Sequence, residues 1–143
     1  MAKTYRTTLP RRLGNVAFTA ALKAGLVPPY AVLTTRGRTS GRPRSTPVRV
    51  MKHVGRRYLV APYGTVDWVR NARAAGEVTL RRGRHTTPYA VVECPPDEAG
   101  AVLKAYVRAE PITRPYFDAR PSDPQAAFAA EADRHPVFRL EPR

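Results

Sequence analysis

Three β-rich runs separated by turns too short to hold a crossover helix constrain this chain most. Tyr30 to Thr35 is the first run, and Arg44 to Val54 the second, with Val48, Val50 and Val54 expected on one face. Gly55 turns the chain into the third, Arg57 to Ala61. Parallel neighbours need a connection of a dozen or more residues, so these strands pair antiparallel as a meander. A further hairpin is expected from Val78 to Arg81 and Arg84 to Glu93, turning at Arg82-Gly83, with Pro88 marking a break, bulge or edge. A last strand is expected at Val137 to Leu140.

Helices punctuate this pattern without forming regular crossovers. Leu13, Val16, Ala17, Ala20 and Ala24 recur at helical spacing, and Gly25 with Pro28-Pro29 ends that helix. Its basic residues Arg11, Arg12 and Lys23 suit peripheral contact of residues 11–24 with a membrane surface; the alternative is a helix that covers a sheet. Thr65 to Ala75 is a second helix, capped by Thr65 or Asp67, ended by Gly76, with Trp68, Ala72 and Ala75 facing inward. Asn71 falls near that face and either ties down a neighbouring loop or touches a ligand. Pro95-Pro96 and two acidic residues open a third helix with an apolar stripe of Val102, Leu103 and Tyr106. Residues 110–124 are Pro-rich, with Tyr116 and Phe117 as lid candidates, and a short helix is expected around Gln125 to Asp133. The order is mainly β with flanking helices (α+β), a small six-strand barrel in one domain of 143 residues, with residues 1–12 a mobile lead-in.

The first two strands are joined by an unusual turn, Arg36-Gly37-Arg38-Thr39-Ser40-Gly41-Arg42-Pro43-Arg44. Two glycines let its backbone approach a ligand closely, and successive amides in such a turn form an anion-binding nest. Hydroxyls add donors, and arginine forks grip phosphate oxygens. The alternative is an exposed basic loop with no ligand. The formal charge of +14 favours an anionic partner, and only Asp67 and Glu77 among the 11 acidic residues precede Glu93. No helix-turn-helix, RNA-recognition signature or zinc-finger spacing accompanies the charge, so no specific nucleic-acid partner is expected. His53, His85 and His135 show no metal-ligand spacing. The turn lacks the Gly-Lys-Ser/Thr end of a P-loop and opens no helix, and no nucleophile elbow is present. A bound cofactor is therefore expected to carry any chemistry. The single cysteine, Cys94, the absence of a run of roughly 20 apolar residues, and the lack of a signal-peptide pattern lead to the expectation of a cytoplasmic protein, with membrane association only at its surface.

Leu33-Thr34-Thr35, Gly37-Arg38-Thr39-Ser40-Gly41, Pro43-Arg44 and Pro47, followed by Asp67-Trp68 and Asn71, resemble the signature of the deazaflavin (F420)-dependent nitroreductase family, actinobacterial and related oxidoreductases. The resemblance covers residues 31–92 well and the C-terminal third only in the order of its elements. It implies a split β-barrel of the flavin-reductase/PNPOx-like type and coenzyme F420 as cofactor, with FMN as the alternative. It places the cofactor phosphate on Arg38, Thr39, Ser40, Gly41 and Arg44, and the ring near Pro47, Val60, Ala61 and Trp68, with Tyr63 and Asn71 alongside. It implies hydride transfer to a small acceptor such as a quinone, activated alkene or nitro-compound; a non-catalytic F420 or flavin carrier is the alternative. Tyr63 and Tyr116 are the candidates for donating a proton or hydrogen bond to the substrate. The loop Pro62-Tyr63-Gly64-Thr65-Val66-Asp67 is shorter than the Ser-Lys-Gly-Gly type loop of many members and lacks its lysine. Monomer and homodimer both remain open.

Overall fold

The computed structural model describes residues 29–143; the expected helix from Leu13 to Ala24 and the lead-in of residues 1–12 lie outside that range. Six strands form a closed antiparallel barrel. They are β1 (Tyr30–Arg36), β2 (Pro43–His53), β3 (Arg56–Val60), β4 (Glu77–Arg82), β5 (His85–Glu93) and β6 (Val137–Pro142). Around the barrel the order is β1-β2-β3-β6-β5-β4, and β4 closes on β1. The helices are α1 (Asp67–Ala75), α2 (Pro96–Ala109) and α3 (Gln125–Ala129). Short 3-10 turns cover Pro111–Tyr116 and Ala132–Arg134.

Period-two alternation along the strands builds two cores at once. Ala31, Leu33, Val48, Val50, Leu59, Val78, Leu80, Phe138 and Leu140 fill the barrel interior. Residues on the opposite faces, Met51, Tyr58, Val60 and Val137, pack under α2 and α3 with Val102, Leu103, Tyr106, Val107 and Phe128. Helix α1 packs on β1 and β4 and sends Val69 and Ala72 into the barrel core. Its buried face is therefore shifted from the expected one: Val69 replaces Ala75, which is exposed, and Trp68 is only half-buried. Val66 occupies the N-cap without a side-chain bond, so neither Thr65 nor Asp67 caps the helix. Gly76 ends it in the left-handed region at φ 72°.

Pro88 lies opposite Thr79 of β4, one residue beyond the last β5–β6 pair, Tyr89 with Pro142. Of the three readings of Pro88, the edge is the one realised, where a missing N–H breaks no ladder bond on the β6 side.

Val54 departs from expectation. It does not continue the inward face of β2 but stands 86% exposed at φ 49°, next to Gly55 at φ 74°. Two successive positive φ values make the β2–β3 connection a type I′ turn, which matches strand twist and favours Asn-Gly. A β-branched residue in the left-handed region costs about 1–3 kcal/mol. Val54→Asn is expected to raise stability by about 1 kcal/mol, read as a higher chemical-denaturation midpoint with an unchanged slope. An unchanged or lowered midpoint would contradict the strained-turn reading.

Candidate active site

The turn between β1 and β2 is closed on itself. The Gly37 amide donates to the Arg42 carbonyl at 2.7 Å, and the Gly41 amide to the Gly37 carbonyl at 2.8 Å. The Ser40 hydroxyl accepts from the Arg42 amide at 3.2 Å. A Cβ on Gly37 would stand 2.8 Å from Ser40 Oγ and 3.0 Å from the Arg42 carbonyl, so only glycine closes this turn without a shift. Gly41 reaches φ 72°, where glycine carries no steric cost. Three of the turn's amides are thereby used internally, and that of Arg38 is taken by Asn71 of α1. Those of Thr39 and Ser40 have no acceptor among the described residues, and these are the two left to bind an anion.

Helix α1 fixes the turn through Asn71, 2% exposed. Its Oδ1 accepts from the Arg38 amide at 3.2 Å and the Arg38 guanidinium at 2.9 Å, while its Nδ2 donates to Thr35 Oγ1 at 3.2 Å. Asn71 thus ties down the loop and aims Arg38. One carboxylate, Asp67, lies 3.7 Å from the same guanidinium at an exposed position. Asn71→Ala leaves the Thr35 hydroxyl and the Arg38 amide without their partner. The expected loss is about 1–3 kcal/mol of stability, together with weaker anion binding at the turn. Equilibrium unfolding with phosphate titration of the same variant checks both; native-like values for both would contradict this role.

From the turn a cleft of about 1030 Å³ runs over β2 toward the C-terminal end of α2. Thr39, Ser40 and Arg44 line its basic end, with Arg38 and Asn71. Pro47, Val60, Tyr63 and Trp68 line its middle. The Trp68 ring is braced against Phe138 of the barrel core, with centroids 5.7 Å apart. Tyr63 is braced by Tyr116, whose ring meets it edge-on at 4.8 Å. The lining carries Arg38, Arg44, Arg49 and Arg70 against only Asp67 and Glu110. Anions are drawn to such a cleft.

Of the sequence-predicted site residues, Arg38, Thr39, Ser40, Arg44, Pro47, Val60, Tyr63, Trp68 and Asn71 come together here. Gly41 borders an adjoining groove on the other side of the turn. Ala61 is buried in the barrel core and does not line the cleft, because alternation turns it inward with Leu59. Tyr116 sits behind Tyr63 instead of on the lining, and Phe117 is buried, stacked on His135. In the 110–124 segment it is Glu110, Thr113 and Ile112, the last 75% exposed, that reach the cleft.

The far end of the cleft holds a cluster that sequence reasoning missed. Arg49 donates to Glu110 Oε1 at 2.8 Å, and the Tyr30 hydroxyl donates to the same oxygen. The guanidinium carbon lies 5.5 Å from the Tyr30 ring centroid. Burial, then the bond to Glu110, pushes the Tyr30 phenol above its usual range. Tyr106 also lines this end, and burial followed by the Glu110 charge holds its phenol protonated well above neutral pH. Arg49 was readable as sharing the Ser45–Pro47 face by alternation. Its carboxylate partner, 61 residues away, was not.

The donors at the basic end suit a phosphate, and the apolar middle suits a flat ring. A family model for F420H(2)-dependent quinone reductases matches residues 7–120. The chain belongs to that family. Its cofactor is F420, and it is an oxidoreductase. A solved F420-H2 dependent reductase, FDR-A, is 27% identical over 80% of this chain and 95% of that one, with a TM-score of 0.54. A structure described as a domain-swapped dimer is 22% identical, covering 92% of this chain and 99% of its own, at a TM-score of 0.58. A heme binding protein from Mycobacterium smegmatis is 17% identical over 85% of this chain and 50% of its own, at 0.56. These last two share the fold. A search of curated proteins finds no match. The six-strand barrel of this reductase family member is the split-barrel type of flavin reductases. Among the described residues no helix is long and apolar enough to cross a membrane. The segment of residues 11–24 expected to contact a membrane lies outside the described residues.

Proposed function

We propose that this protein reduces a quinone or a similar activated acceptor with F420H2, binding the cofactor phosphate at the Gly37–Arg42 turn and the ring across Pro47, Val60 and Trp68. The observation that carries the reading is the continuity of one cleft from two unpaired amides and two arginines to an apolar platform. When bound, the reduced deazaflavin supplies the hydride. The protein then has three tasks. Arg38 and Arg44, with the amides of Thr39 and Ser40, fix the phosphate and so the register of the ring. Pro47, Val60 and Trp68 keep water off one face of the ring. Tyr63 walls the space where the acceptor enters, and the protonated Tyr106 hydroxyl offers a hydrogen bond at the far end.

A flat apolar acceptor such as a quinone fits this space better than a charged one, because the middle of the cleft offers no cation of its own. Tyr63 contributes a ring face and one hydroxyl but no charge. Anaerobic mixing of the protein, F420H2 and a soluble quinone is expected to return oxidised F420 at a rate proportional to protein concentration. Intact F420 binding with no protein-dependent oxidation by quinone, enone or nitro-aromatic acceptors would favour the carrier reading.

A further inference from the structure

A buried hydrogen-bonded pair behind the cleft joins the two segments that carry Tyr63 and Tyr116. Glu131 and His135 are each 3% exposed. His135 Nδ1 lies 2.8 Å from the Pro62 carbonyl oxygen, which only accepts, so this nitrogen donates. Its Nε2 lies 2.8 Å from Glu131 Oε1. The Glu131 carboxylate accepts two further bonds, from the amides of Asp118 at 3.1 Å and Ala119 at 2.8 Å. Phe117 stacks on the imidazole with centroids 3.9 Å apart and planes 23° from parallel. Pro62 immediately precedes Tyr63, and Asp118 follows Tyr116 by two residues. The two tyrosine rings then meet edge-on, which closes a ring of contacts: Pro62–Tyr63, Tyr116, Asp118–Ala119, Glu131, His135 and back to Pro62.

A buried polar pair adds little stability, since desolvation offsets much of what its hydrogen bonds gain, but it fixes geometry well. An apolar pair of the same volume would fill the space without specifying where the Pro62 carbonyl and the two amides stand. Neither residue lines the cleft. Resting on the acceptor-side role proposed for Tyr63, we infer that Glu131 and His135 are positioning residues that set the acceptor-side wall of the cleft by locking the Pro62–Tyr63 loop to the Tyr116–Ala119 segment. They act on acceptor binding and leave the phosphate turn, which Asn71 holds, untouched.

The two nitrogens of His135 can be tested separately. The amide nitrogen of Asn approximates Nδ1, and that of Gln approximates Nε2. His135→Asn therefore retains the Pro62 bond and loses the Glu131 bond, while His135→Gln does the reverse. In cofactor-free protein, both variants are expected to speed amide exchange at Gly64, Asp118 and Ala119 together by at least tenfold, with barrel amides such as Leu59 unchanged. In turnover with F420H2 and quinone, both are expected to raise the quinone KM about tenfold, with kcat and the Kd for F420 within threefold of wild type. Tyr116→Ala cuts the same ring of contacts at a half-buried position, without touching the buried Glu131–His135 pair. It is expected to raise the quinone KM by a similar factor, even where the His135 variants fail to fold. Lowered melting temperature with unchanged exchange at Gly64, or an unchanged KM in Tyr116→Ala, would overturn the inference. If wild-type protein turns over no quinone, the functional proposal fails, and the exchange experiment still decides the coupling.

Discussion

Arg38→Ala combined with Arg44→Ala is expected to weaken F420 binding by about two to three orders of magnitude while leaving the melting temperature within a few degrees. Each arginine is expected to supply a charge-assisted bond to phosphate worth about 1.5–3 kcal/mol, and 1.4 kcal/mol is a factor of ten. Arg44 is exposed and Arg38 is about half-exposed, so the lower part of the range applies to each. Removing Arg38 also leaves Asn71 Oδ1 with only the backbone amide of residue 38 as donor. The single variants should each lose binding, and the steepness of the salt dependence should fall in both. Cofactor fluorescence titration at low salt reads all three proteins. Wild-type affinity in the double variant would mean that the arginines coat a surface and that the phosphate sits elsewhere.

The largest loss of stability is expected at Gly100, far from the cleft. A Cβ there would stand 2.8 Å from the Ala129 nitrogen and 3.0 Å from its Cα, so the obstacle is backbone that cannot rotate away. Helix α2 therefore meets α3 at glycine-to-backbone distance. Alanine in place of glycine gains about 1 kcal/mol of helix propensity, and overpacking costs about 1–3 kcal/mol, so Gly100→Ala should come out mildly destabilising. Gly100→Val adds two methyl groups against the same wall and forfeits most of the propensity gain. It should lose about 3 kcal/mol or more, a fall of roughly 10 °C in Tm for a chain of this size. Thermal unfolding followed by circular dichroism decides this; a Tm unchanged in Gly100→Val would show that α3 is free to slide on α2.

The barrel was legible in the sequence because alternation and short turns leave few topologies open. Leu59 inward and Tyr58 and Val60 outward follow from period two alone. Val54 failed because an apolar β-branched residue beside a glycine reads as strand, while the two-residue turn requires positive φ at both positions. On the nine-residue helix α1, Ala72 is buried as expected, while Val69 takes the place in the core expected of Ala75. The basic turn was legible from its glycines, although three of its amides bond within the turn, one bonds Asn71, and two have no acceptor among the described residues. What stayed hidden depends on distant partners. Glu110 meets Arg49 across 61 residues, and His135 meets a backbone carbonyl 73 residues away. The spacing of Glu131 and His135 by four residues is visible in the sequence. The acceptor and donors that give the pair its meaning are main-chain groups, which leave no mark there.

The central claim is that the Gly37–Arg42 turn and the platform beside it form an F420 site. Parallel titrations of the purified chain with F420 and with FMN, followed by fluorescence and checked by calorimetry, test it most directly. F420 is expected to bind more tightly than FMN, with the difference lost in the Arg38→Ala/Arg44→Ala protein. FMN binding at equal or greater affinity, with no detectable binding of F420, would contradict it.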